Sequence, residues 1–494
     1  MGIPDWLLNP TTVAPTHTGD LDTCGLGERL IARCKHFGLT HLFAVQTAVI
    51  PTFLKRQALY DTRRQPGDLC VSAPTGSGKT LAYVLPIIDI LSRSTVRRLR
   101  ALVVLPTRDL VLQVRETFEQ FAKGSDLQIG IACGQQQFAK EQQLLVPSDI
   151  SSLAGGASRV DVLIATPGRL IDHLKMTPNF SLQHLRFLVI DEADRLMSES
   201  YFDWLNHILT ATRPHPNDQA EPIHYKKGAF GVLESDPIAP SFLRSYHGLP
   251  RTDLDLPKAP SIQKLLFSAT LTKDPAKIAG LYLNDPKYIA IQHPTDNDAP
   301  MYTTPEGLKE YMIVSPSALK PLMLIYLLHH MQVKSALCFT DSTDSANRLQ
   351  RLIAAYEARH QCEHPIVVAE YSSELSTNDR RTLLQKFSRG DIHLLVCSDL
   401  IGRGIDLDNV QYVFSYDVPW YMDKYIHRVG RTARAGKQGT AYSIVETKQL
   451  SAFRDMLRKG GHLDRVQLVR ITKKKLDDHT ATYEDALATL KDEK

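Results

Sequence analysis

The chain has 494 residues, of which 43% are hydrophobic and 23% charged, and its net charge is +4. That length exceeds one ordinary core and predicts two domains, while the composition excludes a chain dominated by disorder. So small a positive surplus excludes a general basic coat, so that any nucleic acid would be held in local grooves. The start, MGIPDWLLNP, has no basic segment followed by an apolar run, which argues against a secretory signal, and Trp6 does not suit a myristoylation site. In chain order, LCVSAP precedes GKTLAYVLPIIDIL, whose apolar run is too short for a bilayer and contains Pro86 and Asp89. ALVVLP precedes TRDLVLQVRETFEQF, where Leu110, Val114, Phe118 and Phe121 share one helical face. DVLIATP precedes GRLIDHL, and RFLVIDEAD precedes RLMSESYFDWL. Repeated strand-then-helix units predict an α/β fold with a mostly parallel sheet covered on both faces.

The segment over 213–262 is proline-rich and lacks periodicity, and reads as a long insertion, either functional or disordered. A polar stretch, QHPTDNDAPMYTTPEG, reads as an interdomain linker. The alternation then restarts with SALCFTDS, SANRLQRLIAAYE, PIVVAEYSS, IHLLVCSD, VQYVFSYDVP and GTAYSIVE. The expected division is a first domain over 1–291, a linker over 292–312, a second domain over 313–460 and a partly helical tail over 461–494. In that tail Tyr483, Ala486, Leu487 and Leu490 stand at helical spacing, as in a helix docked on the second domain. The seven cysteines are scattered and never paired as CxxC, which argues against a zinc site or disulfide framework and predicts a soluble protein of a reducing, intracellular compartment.

Three stretches carry chemistry. APTGSGKT (Ala73, Pro74, Thr75, Gly76, Ser77, Gly78, Lys79, Thr80) lies between an apolar strand and a helix, the setting of a phosphate loop. Its glycines let backbone N–H groups curl around phosphate oxygens at a helix N-terminus. Lys79 would reach the β and γ phosphates and Thr80 would ligate Mg²⁺; Ala73 replaces the first glycine of the strict pattern. FLVIDEADR sets Asp191 and Glu192 at the end of a buried strand, Asp191 to hold the metal and Glu192 to orient and deprotonate a water. Together they read as a Mg-nucleotide hydrolase. The second half has no GKT loop, so one nucleotide site served by two domains is the economical inference. The third stretch, HRVGRTARAG, packs His427, Arg428, Arg431 and Arg434 into ten positions. Alone it could be a solvated turn, a nucleic-acid patch or a set of phosphate clamps.

APTGSGKT, PTRDL, TPGRL, DEAD, SAT, SDLIGRGID and HRVGRTARAG occur in the order and spacing of the DEAD-box RNA helicases, which the chain resembles from about Gly38 to about Gly439. The resemblance implies two RecA-like domains that close over ATP and RNA. It makes Arg431 and Arg434 the fingers that cross the cleft to the phosphates, a device that contributes roughly 10³–10⁵-fold in rate. It places Asp194, Ser268, Thr270, His427 and Arg428 in the coupling between domains, His427 and Arg428 tying the cleft to the SAT segment. Gln46 resembles the adenine-reading glutamine, although Phe43 and Ala44 stand where the family has Ser/Thr and Pro, and Leu21 aligns with its base-stacking aromatic. Gly404 and Asp406 resemble nucleotide contacts of domain two. Pro106, Thr107, Arg108, Thr166, Gly168 and Arg169 resemble RNA-backbone contacts, which hold a strand without reading it. Ser398 and Asp399 face RNA in the family. Gly134 is one of a usual glycine pair, and Arg380 is kept where Thr377 replaces a glutamine.

LFAVQTAVIP, DLCVSAPTGSGKTLA, RALVVLPTRDL, TPNFSLQHLRFLVIDEADR and SIQKLLFSATLT resemble the nucleolar branch that acts in large-ribosomal-subunit assembly. That implies precursor rRNA as substrate, pre-ribosomal protein partners, and a nucleolar, nuclear location. Two other classes stay open: an ATP-gated RNA clamp or ribonucleoprotein remodeller with little unwinding, and a non-catalytic assembly scaffold.

Overall fold

The computed structural model describes residues 4–58, 67–74, 76–94, 96–147, 158–197, 203–212, 262–269, 281–292, 304–305, 307–360, 364–372, 374–399, 407, 409–434 and 437–492. The insertion at 213–262, apart from Ile262, lies outside them, as do most of the linker, Thr75, Thr270, Gly404 and Asp406.

Two parallel sheets organise the chain. The first contains β1 (Thr11–Val13), β4 (Leu69–Ser72), β5 (Ala101–Val104), β6 (Ile129–Ala132), β7 (Val162–Ala165), β8 (Phe187–Asp191), β9 (Gln263–Ser268) and β10 (Lys287–Ile291). A separate antiparallel pair joins β2 (Gly19–Asp20) to β3 (His41–Leu42). The first sheet runs β1-β10-β4-β9-β8-β5-β7-β6, every neighbour parallel. Because side chains alternate along a strand, its core is double. Leu69, Val71, Ala101 and Val103 enter one apolar cluster, whereas Cys70, Leu102 and Val104 enter the other. Val114, Phe118 and Phe121 of the Arg108–Ala122 helix are buried, with Leu110 at the edge of the same cluster.

The second sheet contains β11 (Leu308–Ser315), β12 (Ala336–Thr340), β13 (Val368–Tyr371), β14 (Leu394–Ser398), β15 (Tyr412–Ser415), β16 (Gly439–Glu446) and β17 (Val466–Val469). Its order is β13-β14-β12-β15-β16-β11-β17, again parallel throughout. The sheet reaches beyond the bounds the sequence suggests. β11 begins inside the stretch read as linker, and β17, within the tail, supplies an edge strand. At the other end of the chain β1 adds an unanticipated edge strand beside β10. No helix among the described residues is long and apolar enough to cross a membrane.

The last helix, Asp477–Asp492, packs on the Lys320–His330 and Thr343–Glu357 helices. Tyr483 and Ala486 are buried there, with Leu487 and Leu490 packed against the same cluster. The seam is rich in histidine. The His329 ring lies 4.8 Å from that of His360 and 5.5 Å from that of His479, centroid to centroid. His479 Nδ1 is 2.6 Å from the Tyr356 hydroxyl and His329 Nε2 is 2.7 Å from Glu357. Burial first, and then the neighbouring His329, lower the pKa values of His360 and His479; Glu357, with Asp478 beside His479, pulls the other way. The folded state therefore disfavours their protonation. The unfolded chain takes up those protons below a pH of about 6.5, so this stability is present above that value and is lost as pH falls through it. Thermal melts should show Tm falling by a few degrees between about pH 7.5 and pH 5.5, less in His360→Gln and His479→Gln.

Candidate nucleotide and strand site

The strand order divides the C-terminal edge of the first sheet. β4, β9 and β8 are neighbours, and their ends deliver the phosphate loop, the SAT segment and the Asp191–Asp194 run side by side. β5, β7 and β6 are the next three, and their ends deliver Pro106–Arg108, Thr166–Arg169 and Gly134. The edge beyond the carboxyl ends of parallel strands is the usual place for a ligand.

On the nucleotide side, Gly78 stands at φ 86° and starts the Lys79–Leu91 helix, a left-handed turn natural to glycine. Lys79 is buried, and its ammonium donates to the carbonyls of Ala73 (2.8 Å) and Pro74 (3.3 Å), inside the curl of the loop. One turn along the helix, Tyr83 donates from its hydroxyl to Asp191 Oδ2 at 3.0 Å, and Thr80 hydrogen-bonds the same hydroxyl. Tyr83 was hidden in the sequence within an apolar run; its place four residues after Lys79 is the signal. Gln46 is buried under the loop. Its Oε1 accepts from the Phe43 N–H (3.0 Å), and its Nε2 donates to the Gly78 carbonyl (3.2 Å), so the amide braces the phosphate loop. Leu21, aligned with the base-stacking aromatic, is packed in the core.

Glu192 follows Asp191 at φ 52°, a left-handed conformation costly for a non-glycine residue and typical of functional sites. The Glu192 N–H bonds Asp191 Oδ1 at 2.9 Å. The two carboxylates are driven apart. Burial, then the charge of Glu192, raises Asp191. Burial also acts upward on Glu192, but the hydrogen bond and charge of His427, with Lys79 and Arg431, outweigh it and hold Glu192 well below the usual range. Two neighbouring acids with opposed environments mark a site of divided roles.

The second domain completes the cleft. His427 Nε2 lies 3.1 Å from Glu192 Oε2 and 3.6 Å from Asp194 Oδ2, while Nδ1 donates to the Asp423 carbonyl at 2.6 Å. Asp194 Oδ1 accepts from Ser268 at 2.8 Å, so His427 meets the SAT segment through Asp194. Arg431 is buried, its Nε donating to the His427 carbonyl at 3.3 Å. Arg434 lies across Gly76: a Cβ on that glycine would stand 2.7 Å from Arg434 Cγ. Arg428 departs from the expected tie to the SAT segment. It is a buried guanidinium that holds Asp399 at 2.5 and 2.8 Å and the Asp417 carbonyl, all within its own domain. A buried charge needs a fixed opposite partner, and Asp399 supplies it.

On the strand side, Arg108, Gly134 and Arg169 come together. A Cβ on Gly134 would lie 3.4 Å from Arg108 Nη2 and 3.9 Å from Arg169 Nε. Thr107 caps the Arg108–Ala122 helix by accepting from the Leu110 N–H at 3.4 Å. Thr166 precedes the Pro167–Met176 helix, where Gly168 is exposed with open space around it. Buried Glu141 holds this corner, accepting from the Gly134 N–H (3.1 Å) and Arg169 Nε (2.6 Å). Ser398 is buried at the end of β14. Arg380, which the resemblance sets among the RNA-binding residues, reaches across the cleft to Asp109 at 2.9 Å.

The fold and site define a two-domain nucleotide hydrolase whose phosphate loop and arginines come from different domains. A model of the DEAD/DEAH box helicases matches residues 43–278, and one of the helicase conserved C-terminal domain matches 319–436. ATP-dependent RNA helicase dbp6 of Schizosaccharomyces pombe is 38% identical over 99% of this chain and 79% of its own length. ATP-dependent RNA helicase DDX51 of Homo sapiens is 37% identical over 99% of this chain and 72% of its own. The chain belongs to the DEAD-box family of ATP-dependent RNA helicases. The solved structure of Mss116p bound to ssRNA and AMP-PNP has the same fold, with a TM-score of 0.70 and 21% identity over 96% of this chain and 84% of that one.

The Arg380–Asp109 pair gives a test of closure. Each alanine variant should slow nucleotide turnover, and the double variant should be no slower than the worse single one, a coupling of about 1 kcal/mol. A double-mutant cycle on turnover checks this; strictly additive losses would mean that the pair does not hold the closed form.

Proposed function

We propose that this protein is an RNA-stimulated ATPase that closes on ATP and one RNA strand and so separates or remodels short structured regions of RNA. The observation that carries this reading is the cleft itself: His427 and Arg431 of the second domain act on Glu192 of the first, and Arg434 lies against Gly76 of the loop that holds Lys79. The loop from Ala73 to Thr80 would cradle the phosphates, with Lys79 neutralising their charge. Mg²⁺ suits the hard oxygen donors Asp191 and Thr80, both gathered at the Tyr83 hydroxyl; when bound it would neutralise charge on the β and γ phosphates. Glu192, kept ionised, would orient a water and take its proton. Arg431 and Arg434 would stabilise the charge that spreads over the transferring group. Since the arginines arrive only on closure, hydrolysis is coupled to whatever favours the closed form. RNA on Arg108, Gly134, Arg169 and Gly168 would favour it, and a closed form that accepts only single strand would open a local duplex. Release of phosphate would then reopen the cleft.

The stretches shared with the nucleolar branch support precursor rRNA of the large ribosomal subunit as substrate, pre-ribosomal proteins as partners, and the nucleolus as location. The test is phosphate release from ATP with and without single-stranded RNA, beside Glu192→Gln. Strong stimulation by RNA is expected, with turnover cut at least a hundredfold in the variant while it still binds ATP and RNA together. Rapid hydrolysis by Glu192→Gln would remove Glu192 from its role. Equal rates with and without RNA would favour a clamp that needs a protein partner.

A further inference from the structure

Domain two carries an aromatic pair that none of these roles employs. Trp420 is 61% exposed and Tyr421 65%, the two most exposed large hydrophobic side chains among the described residues. They stand immediately before the Met422–Val429 helix and line an open groove of about 450 Å³ against the Leu450–Lys459 helix. Met422 and Met456 contribute apolar wall, and Lys459 and Asp455 the polar one. Asp455 is engaged by Arg458, so it does not set the sign of the groove. With Arg458 taken up by Asp455, the cations at the rings are Lys459 on the groove wall and Lys424 beside Tyr421.

The aromatic pair lies near the Ser398–Asp399 end of β14. Lys424 Nζ lies 5.9 Å from the centroid of the Tyr421 ring and 4.0 Å from Asp399 Oδ2. One lysine therefore separates the aromatic pair from the Ser398–Asp399 end of β14. Exposed rings flanked by cations are the composition of a platform on which bases stack while the cations follow the phosphates. Rings and methionines also suit a protein interface, where lysine is depleted; the lysines beside the rings are what favour a nucleic acid.

We propose that Trp420 and Tyr421 form an additional base-stacking platform that grips single-stranded RNA continuing past the Ser398–Asp399 end of the strand path. This rests on the strand-binding reading above. Both side chains are exposed, so truncating them leaves the core intact. Binding of oligouridines of increasing length to the full chain, with a non-hydrolysable ATP analogue, tests it. The unaltered protein should gain about tenfold in affinity once the oligomer extends past the cleft, and Trp420→Ala/Tyr421→Ala should lose that gain yet keep its affinity for the shortest binding oligomer. Tryptophan fluorescence gives a second readout: long but not short oligouridine should quench it, and Trp420→Phe should remove the quenching while retaining the affinity gain. A double variant that keeps the length-dependent gain overturns the platform and leaves the pair as a protein contact. No binding at any length overturns the strand-binding reading and the platform with it.

Discussion

The contact between His427 and Glu192 is the constraint on which the rest of the arrangement depends. It joins a side chain of the second domain to Glu192 of the first, and with Lys79 and Arg431 it favours the ionised form of that carboxylate against the effect of burial. Both ring nitrogens of His427 face oxygen atoms, Glu192 on one side and the Asp423 carbonyl on the other. A second carboxylate, Asp194, lies within reach of the same ring and carries the link on to Ser268. The contact between the domains and the lowered pKa of Glu192 thus share one cause. Neither domain alone presents a complete site.

Around that contact the sheet topology does the sorting. In the first sheet the order β4-β9-β8 gathers phosphate chemistry, and β5-β7-β6 gathers the polar turns and arginines of the strand face. The two groups of residues thereby lie beside each other on one edge without overlap. The local geometry at the division is strained: Glu192 adopts a left-handed backbone immediately after a buried strand. The strain directs its carboxylate toward the second domain while Asp191 stays with Lys79 and Tyr83. Buried polar partners keep these positions fixed, as Glu141 does for Gly134 and Arg169, and as Asp399 does for Arg428.

Several assignments made from motif letters shift once side chains are seen in place. Arg380 and Arg428 are both basic residues in stretches that resemble ligand contacts, yet one pairs across the cleft with Asp109 and the other within its own domain with Asp399. Gln46 braces the Gly78 turn through its amide, a role that its motif does not announce. In each case the physical reason is the same. A polar side chain pairs with an acceptor that the tertiary packing brings near, and sequence spacing is silent about which one that is.

What the sequence by itself determined is everything governed by local pattern. Alternating strand and helix runs specified two parallel α/β units, and the glycine-rich APTGSGKT stretch specified a curled loop before a helix. The letters of DEAD and HRVGRTARAG singled out the acids and the basic cluster that the fold brings to one cleft. What only the tertiary structure decided is which of those groups meet. Tyr83 with Asp191, Arg434 with Gly76, Arg380 with Asp109 and the edge strands β1 and β17 all depend on partners far apart in the chain. Helix and turn signals arise from neighbours a few residues away, whereas pairing across a cleft is set by how two finished surfaces dock. That information is distributed over both domains, and no single stretch of sequence contains it.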